Sequence, residues 1–315
     1  MYLLCREPVL SAEPSVRPTL SVVVPTRNRP EHAVACVQAL LQCAGFHELI
    51  VVDQSDTDAT STLLANLTDA RLRCVRSELR GATNARNVGI ELSSSEVIAF
   101  TDDDCRVAVD WAMQIVELFH ADPAAAVVCG RVYVPEELQA QGFAMAFEPR
   151  VREWQHRFPP ADHDWGITAN LSARRTVFER VGRFDPLLGP GAPLRCGEEP
   201  DLLFRVLKAG MKVVNAREVQ VAHLGIRAHG TESAKLWSTY GVGTSAALFK
   251  HVRLGDRDAM RLYVEHLRVM GLVVAKSLLT GSRPTGVRYT WAYLSGAVAS
   301  LKFRVDRSKR QYIPS

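Results

Sequence analysis

Four short, almost continuous apolar runs rich in β-branched residues recur in the first 130 positions: "LSVVVP" from Leu20, "ELIVVD" from Glu48, "VIAFTDDD" from Val97 and "AAVVCG" from Ala125. A strand that is apolar on both of its faces must be covered on both faces. Between the runs lie stretches with apolar residues at helical spacing, "PEHAVACVQALLQC", "DATSTLLANL", "ATNARNVGIELS" and "DWAMQIVELFH". Strands alternating with helices predict an α/β, Rossmann-like fold: a mostly parallel sheet flanked by helices. Such sheets bind ligands at the carboxyl ends of their strands. The polar residues that follow the runs should therefore share one rim: Pro25, Thr26, Arg27 and Asn28, then Asp53, Gln54 and Ser55, then Asp102, Asp103 and Asp104.

The rest of the chain divides on composition. Residues 1–19 hold Pro8, Pro14 and Pro18 and read as a loose leader without the basic and apolar regions of a signal peptide. Residues 131–230 alternate less regularly but contain a helix from about Glu198 to Ala209 and an apolar strand, "MKVVNAREVQVAH". From 231 to 315 the pattern is helical, with expected breaks at Gly241 and Gly243 and at "TGSRPTG". This last segment carries 14 Lys or Arg against five Asp or Glu, whereas the first 230 residues carry 24 against 29. The basic segment suits an anionic surface or a solvated helical face equally. Its longest uncharged stretch, 13 residues from Tyr289 to Leu301, is short of the roughly 20 that a spanning helix needs. The seven cysteines are scattered singly without a C-x-x-C pair, so a reducing cytoplasm is expected and neither a disulfide framework nor a zinc site is indicated.

Three groups of residues suit chemistry. The triple aspartate places Asp102 and Asp104 two apart at a strand end, able to divide a sugar hydroxyl and a hard divalent cation between them, although three acids there also suit a helix cap and solvent. Asp103 has no role that the pattern assigns. Arg86, in "RGATNARNVGI", can offer a forked donor to a base carbonyl or a diphosphate, or lie on an exposed helix face. In "CGEEPDLLFRVLKAG" the adjacent Glu198 and Glu199 cannot share a helix face, so one can point into a crevice while the other bonds elsewhere. Asp201 and Arg205, four apart on the same helix, read as an ordinary surface pair. His223, at the end of an apolar strand, suits a structural hydrogen bond or a metal ligand.

In this order, "VVVPTRNR", "ELIVVDQSDTD", "RGATNARNVGI", "AFTDDDC", "GITANLSARRTVFERVGRFD" and "GEEPDLLFRVLKAG" resemble the family 2 glycosyltransferases, inverting enzymes of the GT-A fold, over about residues 20–225. The resemblance implies a glycosyltransferase domain at 20–230, its nucleotide-binding half near 20–130 and its acceptor half near 131–230, with a basic helical extension at 231–315. It implies that Pro25, Thr26 and Asn28 line the nucleotide pocket, that Asp53 and Arg86 contact the base, and that Asp102 reaches the ribose. Asp104 would hold Mn2+ or Mg2+ at the diphosphate, and His223, from its place at a strand end, is the candidate second metal ligand. Gly166 and Asn170 would border donor sugar and acceptor, and Trp165 would offer a stacking platform. Glu199 stands where the family usually has the catalytic aspartate, so the base is Glu199 or Glu198. Gln54 and Arg27 also depart from the commonest pattern.

The expected activity is metal-dependent transfer of a sugar from a UDP-, dTDP- or GDP-linked donor to a glycan or lipid-linked acceptor. It is expected to serve envelope polysaccharide or glycolipid synthesis, in the cytoplasm or bound peripherally at the inner face of the plasma membrane. The alternatives are a GT-A-fold binding protein without turnover and, more distantly, a nucleotidyltransferase. The latter needs a glycine-rich loop after the first strand, and "PTRNRPEH" has no glycine. A dinucleotide oxidoreductase needs G-x-G-x-x-G there and is excluded. No nucleic-acid recognition module is present.

Overall fold

The computed structural model describes residues 16–160, 165–228, 230–280 and 286–313. Most of the leader and the "TGSRPTG" break lie outside these described residues. The strands are β1 (Leu20–Thr26), β2 (Glu48–Asp53), β3 (Leu72–Arg76), β4 (Val97–Phe100), β5 (Cys105–Val107), β6 (Ala125–Tyr133), β7 (Glu153–Trp154), β8 (Leu171–Arg174), β9 (Lys212–His223), β10 (Arg304–Asp306) and β11 (Gln311–Ile313). The helices are α1 (Pro30–Leu41), α2 (Ala59–Leu64), α3 (Ala82–Leu92), α4 (Trp111–Ala121), α5 (Glu136–Gln139), α6 (Arg175–Val181), α7 (Glu198–Lys208), α8 (Thr231–Arg253), α9 (Arg257–Leu279) and α10 (Val287–Ser300).

A nine-stranded sheet runs in the order β3-β2-β1-β4-β8-β6-β9-β5, with β7 on β9. The first four strands are mutually parallel. Antiparallel β8 separates β4 from β6, which resumes the original direction and pairs in parallel with β9. The predicted mostly parallel sheet is thus present, with β5, β7 and β8 as reversed strands. The continuous apolar runs are explained by cover on both faces. In β2, Leu49 and Val51 join the core packed by Val37 and Leu40 of α1, while Ile50 and Val52 pack against Ala85 and Val88 of α3. Gly89 lets α3 lie close on β1, because a Cβ there would overlap Val23.

The C-terminal helices are packed onto the α/β body. Phe204 of α7 packs with Leu248, Leu262 and Tyr293 from α8, α9 and α10. Beneath this contact, Asp201 meets Lys250 at 2.6 Å, His251 at 2.8 Å and Arg205 at 2.9 Å, and Lys250 also reaches Asp185 at 2.6 Å. Asp201 and Arg205 are therefore a buried pair, not the expected surface pair. Burial acts to raise the Asp201 carboxyl, yet Arg205, Lys250 and His251 hold it far below the ordinary carboxylate range. The break expected at Gly241 and Gly243 is absent, since α8 runs unbroken from Thr231 to Arg253. These glycines serve close approach: a Cβ on Gly243 would overlap the Cys196 carbonyl, and one on Gly241 would crowd Tyr289.

Candidate active site

The carboxyl ends of β1, β2 and β4 bring the predicted rim together, and its three consecutive aspartates take separate partners. Asp102 Oδ1 accepts from Arg86 Nη2 at 2.7 Å. Asp103 turns inward, accepting from Thr26 Oγ1 at 2.8 Å and from Arg29 Nη1 at 3.1 Å. Arg29 Nη1 also donates to Asp104 Oδ2 at 3.0 Å. Asp103 thus has a definite role, fixing the rim to the end of β1. Burial raises its carboxyl pKa, against the Thr26 hydrogen bond and Arg29.

Arg86 is buried, its guanidinium lying between Asp102 and Glu198, whose Oε1 is 3.5 Å from Nη1. That position is internal, in contrast to the alternative of an exposed helix face. Helix α7 starts after Gly197, whose φ of 98° is left-handed and at which a Cβ would overlap the Gly243 carbonyl. Its first two residues then diverge. Glu198 is buried, and burial pushes its carboxyl up to about 8, with Glu199 adding to the rise and Arg86 opposing it. Glu199 is half-buried, and its Oε1 accepts from the Thr168 backbone N–H at 3.0 Å and from Thr168 Oγ1 at 2.9 Å. Thr168 thereby orients Glu199.

Asp104, Cys105 and His223 bring potential ligand atoms within 4.8 Å of one another. His223 Nε2 is 3.8 Å from Asp104 Oδ1, and its Nδ1 is buried without a hydrogen-bond partner among the described residues. Burial raises the Cys105 thiol well above its ordinary pKa, so it stays protonated and the carboxylate and imidazole are the available donors. Oxygen and nitrogen donors fit a hard or borderline divalent cation. Gly225 keeps this corner open, because a Cβ there would overlap the Asp104 carboxylate.

A cavity of about 350 Å³ is lined by Pro25, Thr26, Arg86, Asp102, Asp104, Glu198, Glu199 and His223. A second cavity, about 550 Å³, is lined by Trp165, Gly166 and residues of α8, α9 and α10, and it also reaches Glu199. Three expected residues sit differently. Asp53 is buried: Oδ1 accepts from the Ser55 N–H at 2.9 Å, while Oδ2 has no partner among the described residues. Asn28 lies outside the cavity lining and clasps the neighbouring loop, exchanging hydrogen bonds of 2.6 Å and 2.9 Å with Asp56. Asn170, expected to border the sugars, is instead a buried structural bracket. It accepts from Trp111 Nε1 at 2.9 Å and donates to the carbonyls of Arg131 and Val219 at 2.9 and 3.0 Å.

Sequence reasoning missed Arg29, Thr168, Arg227 and Tyr240, all of which line the first cavity. Arg29, so close behind β1, was within reach of the rim argument. Thr168 depends on its pairing with Glu199, 31 positions away, and Arg227 and Tyr240 have no local signal.

Residues 21–181 match the family described as "Glycosyl transferase family 2". The succinoglycan biosynthesis protein ExoO of Rhizobium meliloti is 26% identical over 274 residues, covering 83% of this chain and 76% of that protein. Glycosyltransferase AglE of Haloferax volcanii is 31% identical over 215 residues, covering 66% of this chain and 68% of AglE. Among solved structures, the mannosyltransferase PcManGT from Pyrobaculum calidifontis, in complex with GDP-Man and Mn2+, superposes with a TM-score of 0.62. At 16% identity over 94% of this chain and 91% of that one, it shows a shared fold. With the family match covering the carboxylate rim and Arg86, the chain belongs to glycosyl transferase family 2.

Proposed function

We propose that this glycosyltransferase moves a sugar from a UDP-, dTDP- or GDP-linked donor to a hydroxyl of an envelope polysaccharide or glycolipid acceptor, inverting the anomeric centre. The observation that carries this reading is the position of Glu199, which lines both cavities at once, one edged by carboxylates and the other largely apolar. In the first cavity Asp102, braced by Arg86, accepts from a ribose hydroxyl. Pro25 and Thr26 form the adjoining wall, while Asp53, buried outside that lining, holds the Ser55 turn at the end of β2. Asp104 and His223 are suited to holding Mn2+ or Mg2+, and PcManGT is in complex with both GDP-Man and Mn2+. Such a cation supplies Lewis-acid stabilisation of negative charge on the diphosphate. Gly166 and Trp165 border the second cavity, where the acceptor belongs.

Glu199, held by Thr168, takes the proton of the acceptor hydroxyl as that oxygen forms its bond to the anomeric carbon and the bond to the diphosphate oxygen breaks on the opposite face. One carboxylate base is sufficient for a single displacement with inversion. Glu198, protonated up to about pH 8, is the poorer base at neutral pH.

Among the described residues no helix is long and apolar enough to cross a membrane. The basic segment 231–315 also exposes large apolar residues on α9 and α10, which suits attachment to an anionic bilayer at the cytoplasmic face. Thermal-shift titration with UDP-, dTDP- and GDP-sugars plus Mn2+ tests the donor class, since a ligand at one hundred times its Kd stabilises by about 2.7 kcal/mol. Asp104→Asn should lose the metal-dependent part of that shift, whereas Glu199→Gln should keep it and lose transfer. Unimpaired transfer by both variants would overturn the mechanism, and an axial or equatorial product bond read by NMR reports inversion directly.

A further inference from the structure

The cavity on the far side of Glu199 differs from the donor cavity in kind. Its walls come from the start of α7, from Trp237, Tyr240 and Leu248 of α8, from Leu262 and Met270 of α9, and from the mouth of α10. Only Glu199 and Arg288 among its described lining residues carry a charge at neutral pH, because burial lowers the His266 imidazole to about 4 and that ring already shares a 3.1 Å hydrogen bond with Tyr289. A chain of sugar rings placed there would leave most of its hydroxyls without partners, which is costly. At about 550 Å³, the space lies within the usual range of small-ligand sites, whose lining is predominantly apolar.

The outer face of α10 continues the same character. Trp291, Leu294, Val298 and Leu301, spaced three and four apart, are 70%, 40%, 66% and 59% exposed, and Arg288 and Tyr289 in the first turn of the helix line the cavity. An exposed apolar stripe of this kind marks an interaction surface. Here it continues from the helix turn that lines an apolar cavity, which is also lined by the proposed base.

We infer that this cavity receives the apolar body of an amphiphilic acceptor: the hydroxyl to be glycosylated sits at Glu199, and the attached lipid-like chain runs between α8 and α9 towards α10. The C-terminal helices thereby select the acceptor. The inference rests on Glu199 being the base of the transfer reaction.

Calorimetric titration of the full chain with octyl β-D-glucopyranoside below its micellar concentration, and with methyl β-D-glucopyranoside, tests it. The octyl chain carries seven more methylenes than the methyl group, and burying about three of them at about 0.8 kcal/mol each predicts an octyl preference on the order of 50-fold, accompanied by a negative heat-capacity change. Trp237→Ala and Met270→Gln alter half-exposed wall positions and should reduce the preference to below about 5-fold. Equal affinity for the two glucosides, no binding of either, or an octyl preference unchanged in both variants would overturn the inference. Nucleotide-sugar thermal shifts measured on the same samples separate this outcome from failure at the donor site. Intact shifts without octyl preference reject the acceptor cavity alone. Octyl preference without any donor shift would leave an apolar binding cavity but reject the transferase reading and, with it, the acceptor assignment.

Discussion

Replacing Glu198 by glutamine separates the two adjacent glutamates by thermodynamics as well as by rate. In the folded chain the Glu198 carboxyl is pushed up to about 8, against about 4.3 in an unfolded chain. The native state keeps its proton between these values while the unfolded state releases it. Stability is therefore fully present below the unfolded pKa, falls as pH rises, and levels off above about 8. At about 1.4 kcal/mol per pKa unit, the full difference approaches 5 kcal/mol, of which about 3.5 kcal/mol has been lost by pH 7. Glutamine has nearly the same shape and no proton to release, so Glu198→Gln should match the parent near pH 4.5 and exceed it by a few kcal/mol at pH 8. Urea unfolding at intervals from pH 4.5 to 9 reads this directly. A difference that stays constant across that range would refute the argument that Glu198 holds a proton.

The same pair of variants assigns the base. At pH 7 Glu198 is already mostly neutral, so Glu198→Gln should retain most transfer. Glu199→Gln should lose about 10²- to 10⁴-fold, the usual contribution of a positioned general base. The reverse ranking would make Glu198 the base.

Asp201→Asn should destabilise the chain by about 3–5 kcal/mol, because it strips the counter-charge from buried Lys250 and Arg205. Calorimetric melting checks this, and a loss below 1 kcal/mol would mean that the cluster is not load-sharing in the fold. Trp291→Glu combined with Val298→Glu should abolish co-sedimentation with vesicles containing phosphatidylglycerol. Parent binding should weaken as salt is added, since each basic residue near such a surface contributes about 1 kcal/mol. Vesicle binding unchanged by the double substitution would remove α10 from the membrane face.

What was legible in the chain followed from constraints that act over a few residues. "LSVVVP", "ELIVVD" and "VIAF" read as strands because cover on both faces forces an unbroken apolar run, and their order alone located the rim with Thr26, Asp53 and Asp102–Asp104. Edge strand β3, "LRCVR", has a partly exposed pattern and carried no such signal. The misreadings share another cause: a partner far along the chain. Asp201 and Arg205 look like a solvated i, i+4 pair until α8, about 50 residues later, lays Lys250 and His251 over them. Gly241 and Gly243 look like helix breakers until their lack of a Cβ is seen to admit Tyr289 and the Cys196 carbonyl. Asn170 looks like a ligand-facing amide in "GITAN", yet Trp111 and two distant carbonyls use all of its visible hydrogen-bonding groups. Local pattern thus found the ends of the parallel strands and the residues displayed there. Which of those side chains remain open to a substrate was decided by tertiary pairing, and at Glu199 that pairing is with Thr168 on one side and an apolar chamber made by the C-terminal helices on the other.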